Sequence, residues 1–311
     1  MQPAPDFEFF YLDKILPLLG KIKQLRQQMK NWEWGCALAL IFTLANFLTC
    51  QGNTGNETSG WLAGFGAIIF AFCISRYAYH RDKYLGEFKS TCIKEVLDFL
   101  LPGVIYKPDS FIPSKEYRRS GLFRRRYDAF EGEDYIQGVY KDVKFHCSEI
   151  SASFNKANNV DHSIFEGLFF VASISPVFQS ATYLWPSGEE QVSSIAHEHY
   201  RYYAIPEVKQ IITGNKTFDQ YYSVYSSSKD EASYLLGGDL MPLLVKYRRQ
   251  IKMPVSLSFV TGKCYVAIPL EKSLFEPNKK DPGDKETIKE YFFSGLLILS
   301  IINQLHLSRL T

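Results

Sequence analysis

Two apolar runs constrain this chain more than any other feature, because neither Gly35–Cys50 nor Trp61–Ser75 contains an Asp, Glu, Lys or Arg. A short polar loop, Gln51–Gly60, separates them. A helix needs roughly 17–25 residues to cross a bilayer core about 30 Å thick. Each run reaches that length when its flanks are counted, and these carry the Trp and Tyr side chains that favour the headgroup level: Trp32, Trp34, Trp61, Tyr77 and Tyr79. The sequence therefore predicts a two-span helical hairpin over residues 32–79.

The basic residues around this hairpin predict its orientation. The segment before it contains Lys21, Lys23, Arg26 and Lys30, and the segment after it contains Arg76, Arg81, Lys83 and Lys89. The loop between the spans has Glu57 as its only charged residue. Because Lys and Arg concentrate on the cytoplasmic side of a membrane, we expect both termini and the main domain to be cytoplasmic.

Composition limits the remaining choices. A chain of 311 residues with 46% hydrophobic and 22% charged residues has room for one membrane anchor and one globular domain. Its six Cys residues include no C-x-x-C pair, which argues against a zinc pattern or a disulfide framework and is typical of a reducing compartment. The net charge of +2 gives no general argument for nucleic-acid binding. We expect no metal, no cofactor and no nucleic acid, but membrane lipids as partners, with a protein partner or a homo-oligomer as further options.

Apolar stripes on both sides of the hairpin predict a helical stalk. Residues 1–31 are the expected N-terminal amphipathic helix, and residues 80–103 are the expected stalk helix. The stripes have the spacing of a helix seam: Tyr11, Ile15, Leu18, Ile22, Leu25 and Met29 before the hairpin, and Leu85, Phe88, Cys92, Val96 and Phe99 after it. Pro17 predicts a kink or a later helix start. We expect the two helices to pack together, and the alternative is that the first lies flat on the membrane.

Small residues in the second span predict close helix contact. Gly60 and Gly64 are separated by three residues, the spacing at which small side chains let two membrane helices approach, and Gly66 lies beyond them. The expected contact is between the two spans of the hairpin, and a homodimer interface is the alternative.

Residues 104–277 have the pattern of a cytoplasmic α+β domain. Apolar or alternating segments predict strands: Tyr135–Ile150, with Gly138 as a bulge or turn; Phe165–Ile174, expected to be central; Thr182–Trp185; Val208–Thr213 and Thr217–Tyr225 as a hairpin; and Val255–Val260 and Cys264–Leu270 as a second hairpin. The segment Lys229–Gln250 predicts a helix with one apolar side. Because these strands pair mostly with sequence neighbours, we expect a mainly antiparallel sheet with packed helices, the α+β class.

The last segment, residues 278–311, is expected to be a linker followed by an apolar helix. Tyr291–Ser308 contains no Asp, Glu, Lys or Arg and is about long enough for a third span. Its polar side, however, is unsuited to lipid: Ser294, Ser300, Asn303, Gln304 and Ser308. We expect this helix to pack on the soluble domain or the stalk, and the sequence leaves open whether it spans, lies on or avoids the membrane.

Several stretches of the soluble part resemble one family, in the same order along the chain: Ser120–Phe123, Gly132–Gly138, Phe145–Glu149, Phe165–Phe170, Tyr222–Ser226, Glu231–Leu236, Leu257–Phe259 and Leu274–Pro277. From about Arg76 onward the chain resembles the bacterial membrane-protein family known as domain of unknown function 3137. The resemblance implies a membrane hairpin followed by a cytoplasmic domain, and hence a multi-pass protein of the bacterial inner membrane. It carries over no reaction, and Ser173 stands where we expect the family's Asp.

The strongest local charge feature is a group of five arginines: Arg118, Arg119, Arg124, Arg125 and Arg126. A cytoplasmic arginine patch near a bilayer binds anionic headgroups, with about 1 kcal/mol for each charge close to the surface. It can also bind an acidic or phosphorylated partner through bidentate contacts. The alternative is that these side chains pair with the neighbouring Glu131, Glu133 and Asp134 and are solvated.

Other candidate sites have less support. His197 and His199 would share one face of a strand as half of a metal site, but the spacing indicates no third ligand. His146 and Cys147 are adjacent, so in a strand they point to opposite faces and the imidazole cannot easily activate the thiol. The sequence contains no phosphate loop, dinucleotide fingerprint or nucleophile elbow.

Two functional hypotheses follow. The first is a membrane-anchored interaction module that binds a lipid headgroup, peptide or protein at the inner membrane face through the arginine patch. The second is a membrane-bound enzyme of the hydrolase type that uses the acidic cluster Glu131, Glu133 and Asp134. An enzyme needs converging carboxylates or a metal in a pocket, whereas a binding module needs only an exposed patch or sheet edge. The sequence favours the first and offers no specific argument for catalysis.

Overall fold

The computed structural model describes residues 7–52, 57–155, 161–174, 179–189, 207–238, 240–251, 254–270, 273–276 and 285–307. The chain divides into two compact units. The first contains Met1–Val96 and Glu276–Phe292, and the second contains Leu97–Phe275 and Phe293–Thr311. The domain boundaries expected from the sequence stay predictions.

The first unit starts with a short irregular helical stretch that contains Pro17 in its last turn. Helix α1 spans Phe7–Phe10, a π-helical turn spans Tyr11–Ile15, and a 3₁₀ turn spans Leu16–Leu18. Because Pro17 has no N–H to donate to the preceding turn, the long helix α2 begins after it and spans Leu19–Gly52. Helical structure runs from Phe7 through Pro17, so the later start predicted from Pro17 holds only for the regular α-helical part.

Helix α3, Glu57–Phe88, runs antiparallel to α2. At the end of the pair nearest the N-terminus, Lys21 Nζ lies 2.5 Å from Glu87 Oε1. Further along, a Cβ placed on Gly35 would lie 3.6 Å from Cys73 Sγ. These contacts place the segment before the first apolar run beside the segment that follows the second one.

The three glycines predicted to pack in the hairpin differ in their surroundings. A Cβ on Gly66 would lie 2.6 Å from Thr43 Oγ1 and 3.3 Å from Thr43 Cα, which is too close for a side chain. A Cβ on Gly60 would lie 3.6 Å from Cys50 Sγ, an ordinary contact, and a Cβ on Gly64 would meet nothing within 4 Å. Of the three, Gly66 is therefore the position where helix contact requires glycine.

Two helical stretches are long and apolar enough to cross a membrane, Phe7–Gln51 and Thr58–Leu100. Only 6% and 17% of their apolar windows are buried, whereas the core helix of a soluble protein would be mostly buried. The large exposed side chains include Trp34, Leu38, Ile41, Leu48, Trp61 and Ile68. The described part of the hairpin thus has the length and the apolar surface of a membrane anchor.

The first unit also contains the start of the C-terminal helix, Lys285–Leu307, which the sequence predicted to pack on the soluble domain or the stalk. Its aromatic contacts within this unit are Phe292 with Phe7 and with Phe10, at 5.4 Å between ring centroids, and Tyr291 with Phe88, at 5.9 Å. Tyr291 and Phe292 are at most 2% exposed. The start of this helix therefore packs on protein.

The second unit is built on a nine-stranded sheet, counted over the described residues. In chain order the strands are β1 Ile105–Lys107, β2 Ala129–Tyr140, β3 Val143–Asn155, β4 Asp161–Ser173, β5 Thr182–Pro186, β6 Lys209–Ile211, β7 Tyr222–Ser226, β8 Ser256–Val260 and β9 Lys263–Pro269. Their order in the sheet is β1-β2-β3-β4-β9-β8-β5-β7-β6, and every neighbouring pair is antiparallel. The predicted α+β class with a mainly antiparallel sheet is confirmed.

Six α-helices follow the hairpin in the described part of the chain. They are α4 Lys94–Leu100, α5 Ser114–Arg119, α6 Lys216–Asp219, α7 Lys229–Leu235, α8 Leu240–Ile251 and α9 Lys285–Leu307. Helix α7 begins after Ser228, whose side chain accepts a hydrogen bond from the N–H of Glu231 at 3.3 Å. Such an N-cap satisfies one of the N–H groups that the first helical turn leaves unpaired.

Both faces of the sheet are buried. One face carries a row of cross-strand neighbours, His146, Val171, Tyr265, Ser258, Tyr183 and Tyr225. Helix α5 and the loop after it cover this face, since the Tyr117 ring lies 5.3 Å from Phe169 and 5.2 Å from Phe123. The opposite face carries Cys147, Phe170, Val266, Leu257, Leu184 and Val224, all buried.

The segment Tyr135–Ile150, predicted as β structure with a bulge or turn at Gly138, belongs to two strands joined by a tight turn at another position. The turn residues Lys141 and Asp142 have φ angles of +47° and +62°, which is the backbone that a two-residue hairpin turn requires. Gly138, predicted as the bulge or turn, lies inside β2 opposite Phe145. The prediction was wrong at this point because neither turn residue is the Gly or Asn that usually marks such a turn.

Two further segments differ from their predictions. The predicted helix Lys229–Gln250 is interrupted, because Gly238 has a φ of +63° after the end of α7. The predicted strand Thr217–Tyr225 starts with the short helix α6, since Asn215 caps it by accepting the Phe218 N–H at 3.1 Å. Strands β6 and β7 still pair antiparallel, as the predicted hairpin requires.

Candidate functional site

The structure separates the five predicted arginines into an exposed and a buried group. Helix α5 carries Arg118 and Arg119, and the loop 120–128 carries the other three. Arg119, Arg125 and Arg126 are exposed, Arg118 is half-buried, and Arg124 is only 4% exposed. We refer to Arg119, Arg125 and Arg126 as the exposed arginines.

Arg124 is part of the core beneath its loop. Its guanidinium carbon lies 5.3 Å from the centre of the Tyr183 ring and 5.4 Å from that of Trp185. Its Nε donates a hydrogen bond to the Gly121 carbonyl oxygen at 3.4 Å. Burial lowers the pKa of the Arg124 guanidinium, and the neighbouring Tyr183 acts in the opposite direction. This arginine holds the loop on the sheet and is not placed to meet a ligand in solution.

The side chain of Arg118 holds the C-terminal end of the loop, through Tyr127. Its Nη1 donates a hydrogen bond to the Tyr127 hydroxyl, and its guanidinium carbon lies 5.6 Å from the centre of that ring. The Tyr127 ring in turn meets Tyr117 edge-on, with 5.9 Å between the centroids. The backbone that carries the exposed arginines is thus anchored at both ends.

Two of the exposed arginines lie next to local carboxylates. Arg119 Nη1 lies 3.7 Å from Glu116 Oε2, and Arg126 Nε lies 3.5 Å from Asp128 Oδ1. Arg125 forms no ion pair with any residue that the structure describes. Exposed ion pairs contribute little to stability, about 0–1 kcal/mol, so these guanidinium groups can exchange their present partners for an anion.

Arg125 lines a cleft of about 680 Å³ at one end of the sheet, which we call the arginine cleft. It lies where β4 and β8 begin and β5 and β9 end. Its lining includes Phe123, Arg125, Glu166, Trp185, Glu189 and Pro254. The Trp185 indole N–H donates to the Leu122 carbonyl oxygen at 3.1 Å, which fixes the loop against this end of the sheet.

The two carboxylates of the arginine cleft belong to different segments, Glu166 to β4 beside the start of its pairing with β9 and Glu189 to the turn after β5. Glu166 is exposed, and its backbone carbonyl accepts the N–H of Leu270 at 3.0 Å, which ties β4 to the end of β9. Gly167 follows with a φ of +153°, and a Cβ there would lie 2.1 Å from the Ile268 carbonyl oxygen. Only glycine fits at that close approach, so the backbone beside Glu166 is tightly defined.

A second cleft, of about 620 Å³, lies at the opposite end of the sheet. We call it the His146 groove after one of its lining residues, which also include Tyr135, Gln137, Lys144 and Lys263. Beside it, the Glu116 carboxylate accepts hydrogen bonds from Lys263 Nζ at 2.6 Å and from the Tyr265 hydroxyl at 3.2 Å.

Burial and the contact with Lys263 have opposite effects on the pKa of Glu116. Burial acts to raise the pKa of Glu116, but the hydrogen bond and the charge of Lys263 outweigh it, so that pKa is lowered. Burial lowers the pKa of His146. Sequence reasoning missed Glu116 and Lys263, because they are 147 positions apart and neither belongs to a recognisable motif.

The acidic cluster of the hydrolase hypothesis is spread over different depths. Glu131 is exposed, Glu133 lies opposite Glu149 in the β2–β3 pair, and Asp134 is 1% exposed and accepts a hydrogen bond from the Tyr106 hydroxyl. Asp134 is therefore closed to a substrate. Among the described residues no group of three or more His, Cys, Asp or Glu side chains has the arrangement of a metal site.

The sequence also suggested two candidate pairs, His146 with Cys147 and His197 with His199. His146 and Cys147 lie on opposite faces of the sheet, and burial raises the pKa of the Cys147 thiol. A reactive thiolate needs the opposite shift. The pair His197 and His199 falls in residues 190–206, outside the described part of the chain.

Comparison with solved structures gives one match, the crystal structure of the mycobacterial trehalose monomycolate transport factor A, TtfA. The alignment covers 66% of this chain and 90% of that chain, at 13% identity and a TM-score of 0.34. At that TM-score the likeness carries no argument about fold or function. No curated protein matches the chain.

The family model described as "Protein of unknown function (DUF3137)" matches residues 163–307. That range contains five of the eight stretches quoted for the resemblance, starting with Phe165–Phe170, and it includes β4, β5, β8 and β9 of the arginine cleft. The exposed arginines lie before it. The resemblance drawn from the sequence is thus confirmed over residues 163–307, which match the model of this family.

Proposed function

We propose that this protein is a membrane-anchored interaction module whose sheet unit binds a phosphate-bearing lipid headgroup at the inner face of the membrane. The observation that carries the proposal is the set of exposed arginines at the end of α5 and on the loop after it, which buried side chains hold in place. The hairpin α2–α3 supplies the anchor, and its flanking Lys and Arg residues favour cytoplasmic termini in a bacterial inner membrane.

The chemistry of the exposed arginines supports a phosphate ligand. A guanidinium presents several N–H groups in a plane and binds two phosphate oxygens at once, which an ammonium group cannot do in the same geometry. Arg124 and Arg118 fix the loop, so little conformational entropy is lost when a ligand binds. A peptide or protein with acidic or phosphorylated side chains has the same chemistry, and the experiment separates these partners from lipid.

The test compares three forms of the full chain, purified from native membranes in one detergent. They are the wild type, the variant Arg119→Ala/Arg125→Ala/Arg126→Ala, and the control Lys209→Ala/Lys216→Ala/Lys229→Ala, which loses the same charge from exposed sites elsewhere in the second unit. Mass spectrometry measures the phospholipids and proteins retained for each chain. At about 1 kcal/mol per charge, removing three arginines should weaken headgroup binding roughly 100-fold.

Phospholipid lost from the arginine variant alone supports the proposal. A protein lost instead assigns the exposed arginines to a protein partner and contradicts the headgroup. Equal amounts of lipid and protein in all three samples contradict a role of the exposed arginines in binding.

A further inference from the structure

We infer that the arginine cleft selects a zwitterionic headgroup of the phosphoethanolamine class, with Arg125 binding the phosphate and Glu166 binding the primary ammonium. This inference rests on the proposed function and names the ligand class that the exposed arginines and the cleft together accept.

The first step is the shape of the cleft. Its volume of about 680 Å³ is within the range of roughly 300–1,000 Å³ that small-molecule sites occupy. Its lining residues come from four strand ends and from the loop after α5. Loops and strand ends on a rigid sheet are where binding residues concentrate, and the Trp185 indole bonded to Leu122 makes this end rigid.

The second step is the charge of the cleft. Arg125 and Glu166 both line it, both are exposed, and within the described part of the chain neither forms an ion pair. Opposite charges that line one cleft without pairing to each other can each take the opposite end of a zwitterion. Glu189 adds a second carboxylate to the lining.

The third step is selectivity. A purely anionic headgroup that reaches Arg125 brings its negative charge into the cleft that Glu166 also lines, and like charges in one cleft repel each other. An ethanolamine ammonium replaces this repulsion with an attraction and with N–H donors for the carboxylate. A choline ammonium has no N–H to donate, so Glu166 favours ethanolamine over choline. Specificity built on one attractive and one repulsive contact is common in binding sites.

The fourth step is the apolar lining. Phe123 and Pro254, both partly exposed, supply carbon surface to the cleft. A headgroup has a two-carbon linker between its phosphate and its ammonium, and a glycerol backbone on the other side of the phosphate. These parts can lie on the aromatic and prolyl carbons while the two charged groups meet their partners.

The experiment measures binding of soluble headgroups to the full chain in detergent by isothermal titration calorimetry. The probes are glycerophosphoethanolamine, glycerophosphocholine, glycerophosphoglycerol and inorganic phosphate, which separates a headgroup from free phosphate. We expect the wild type to bind glycerophosphoethanolamine at least tenfold more tightly than each of the others. Wild-type protein that binds inorganic phosphate or glycerophosphoglycerol as tightly contradicts the inference.

Variants assign the two contacts. Glu166→Gln should abolish the preference for ethanolamine and leave glycerophosphoglycerol binding equal or tighter, whereas Arg125→Gln should weaken every phosphate probe at least tenfold. Lys209→Gln is the matched control at an exposed site of the same unit. A preference that survives Glu166→Gln overturns the assignment of the ammonium to Glu166.

The outcomes also separate this inference from the proposed function. Loss of lipid from the triple-arginine variant together with equal binding of all headgroup probes keeps the proposed function and rejects the zwitterion. Retained lipid in that variant rejects the proposed function, whatever the probes show. No binding of any probe by the wild type rejects the inference.

Discussion

Arg124 lies over Trp185, with 5.4 Å between its guanidinium carbon and the ring centre, in a part of the second unit where Trp185 is 1% exposed. A guanidinium over an aromatic face is stabilised by the ring quadrupole, and the aliphatic stem adds apolar contact. We expect Arg124→Ala to destabilise the protein by roughly 2–4 kcal/mol. Chemical denaturation of the full chain in detergent, followed by tryptophan fluorescence, measures the change.

The neighbouring Arg125 is the matched control for this prediction. It is exposed, so we expect Arg125→Ala to change stability by about 0.5 kcal/mol or less. Equal effects of the two substitutions contradict the placement of Arg124 in the core. Arg124→Met keeps the apolar stem without a charge and should recover part of the lost stability, since an apolar side chain of similar length often replaces a buried charge at little cost.

Because Glu149 is buried, we expect the stability of the fold to decrease as pH rises toward neutrality. Burial raises the pKa of Glu149 to about 7, above the ordinary value of 4.5, while the backbone N–H of Leu274 acts in the opposite direction. Between these two values the folded state holds a proton that the unfolded state has released. The contribution is therefore complete below pH 4.5 and is lost as pH rises through 7, by up to about 3 kcal/mol.

Replacement by glutamine tests this dependence. The denaturation midpoints of the wild type and of Glu149→Gln are compared at pH 5, 6, 7 and 8. Because glutamine does not titrate, the stability advantage of the variant should increase from pH 5 to pH 8. A difference between the two proteins that is constant across this range contradicts a raised pKa for Glu149.

For Glu116 we expect the opposite dependence of stability on pH. The pKa of Glu116 is lowered, because the hydrogen bond and charge of Lys263 outweigh the effect of burial. A carboxyl group with a lowered pKa stabilises the fold above its unfolded pKa, and that contribution is lost as pH falls through the folded value. We expect Glu116→Gln to destabilise the protein at pH 7 and the deficit to shrink in acid, measured as thermal midpoints from pH 7 to pH 3.

The exposed Glu131 provides the control for Glu116. We expect Glu131→Gln to leave the thermal midpoint unchanged at both ends of the pH range. A deficit of Glu116→Gln that stays constant down to pH 3 rules out a stabilising carboxylate at this position.

The hairpin and the fold class could be predicted because their signals are local. An uncharged run between aromatic flanks specifies a span from its own residues, and the pair Thr261 and Gly262 specifies the β8–β9 turn, where both φ angles are positive. Gly237 and Gly238, which interrupt the predicted helix 229–250, were equally local signals. The apolar periodicity around them nevertheless predicts one continuous helix.

The candidate site could be predicted only in part, because burial depends on distant residues. Arg124 and Arg125 are neighbours with the same side chain, and only the position of Tyr183 and Trp185 in β5 makes one a core residue and the other a surface residue. The meeting of Arg125 and Glu166 at one cleft likewise depends on the strand order. No spacing in the chain indicates it.

Gly66 gives the last prediction, which concerns the contact of the two long helices. A Cβ at this position would lie 2.6 Å from Thr43 Oγ1 and 3.3 Å from the Thr43 Cα atom, so a larger side chain must push the helices apart. Gly64 is the matched control, since a Cβ there meets nothing within 4 Å. We expect Gly66→Leu to lower the thermal midpoint of the purified protein in detergent and Gly64→Leu to leave it nearly unchanged. If Gly64→Leu has the larger effect, Gly64 lies in a contact with a second copy of the chain, and crosslinking in native membranes should then detect a dimer that Gly64→Leu removes.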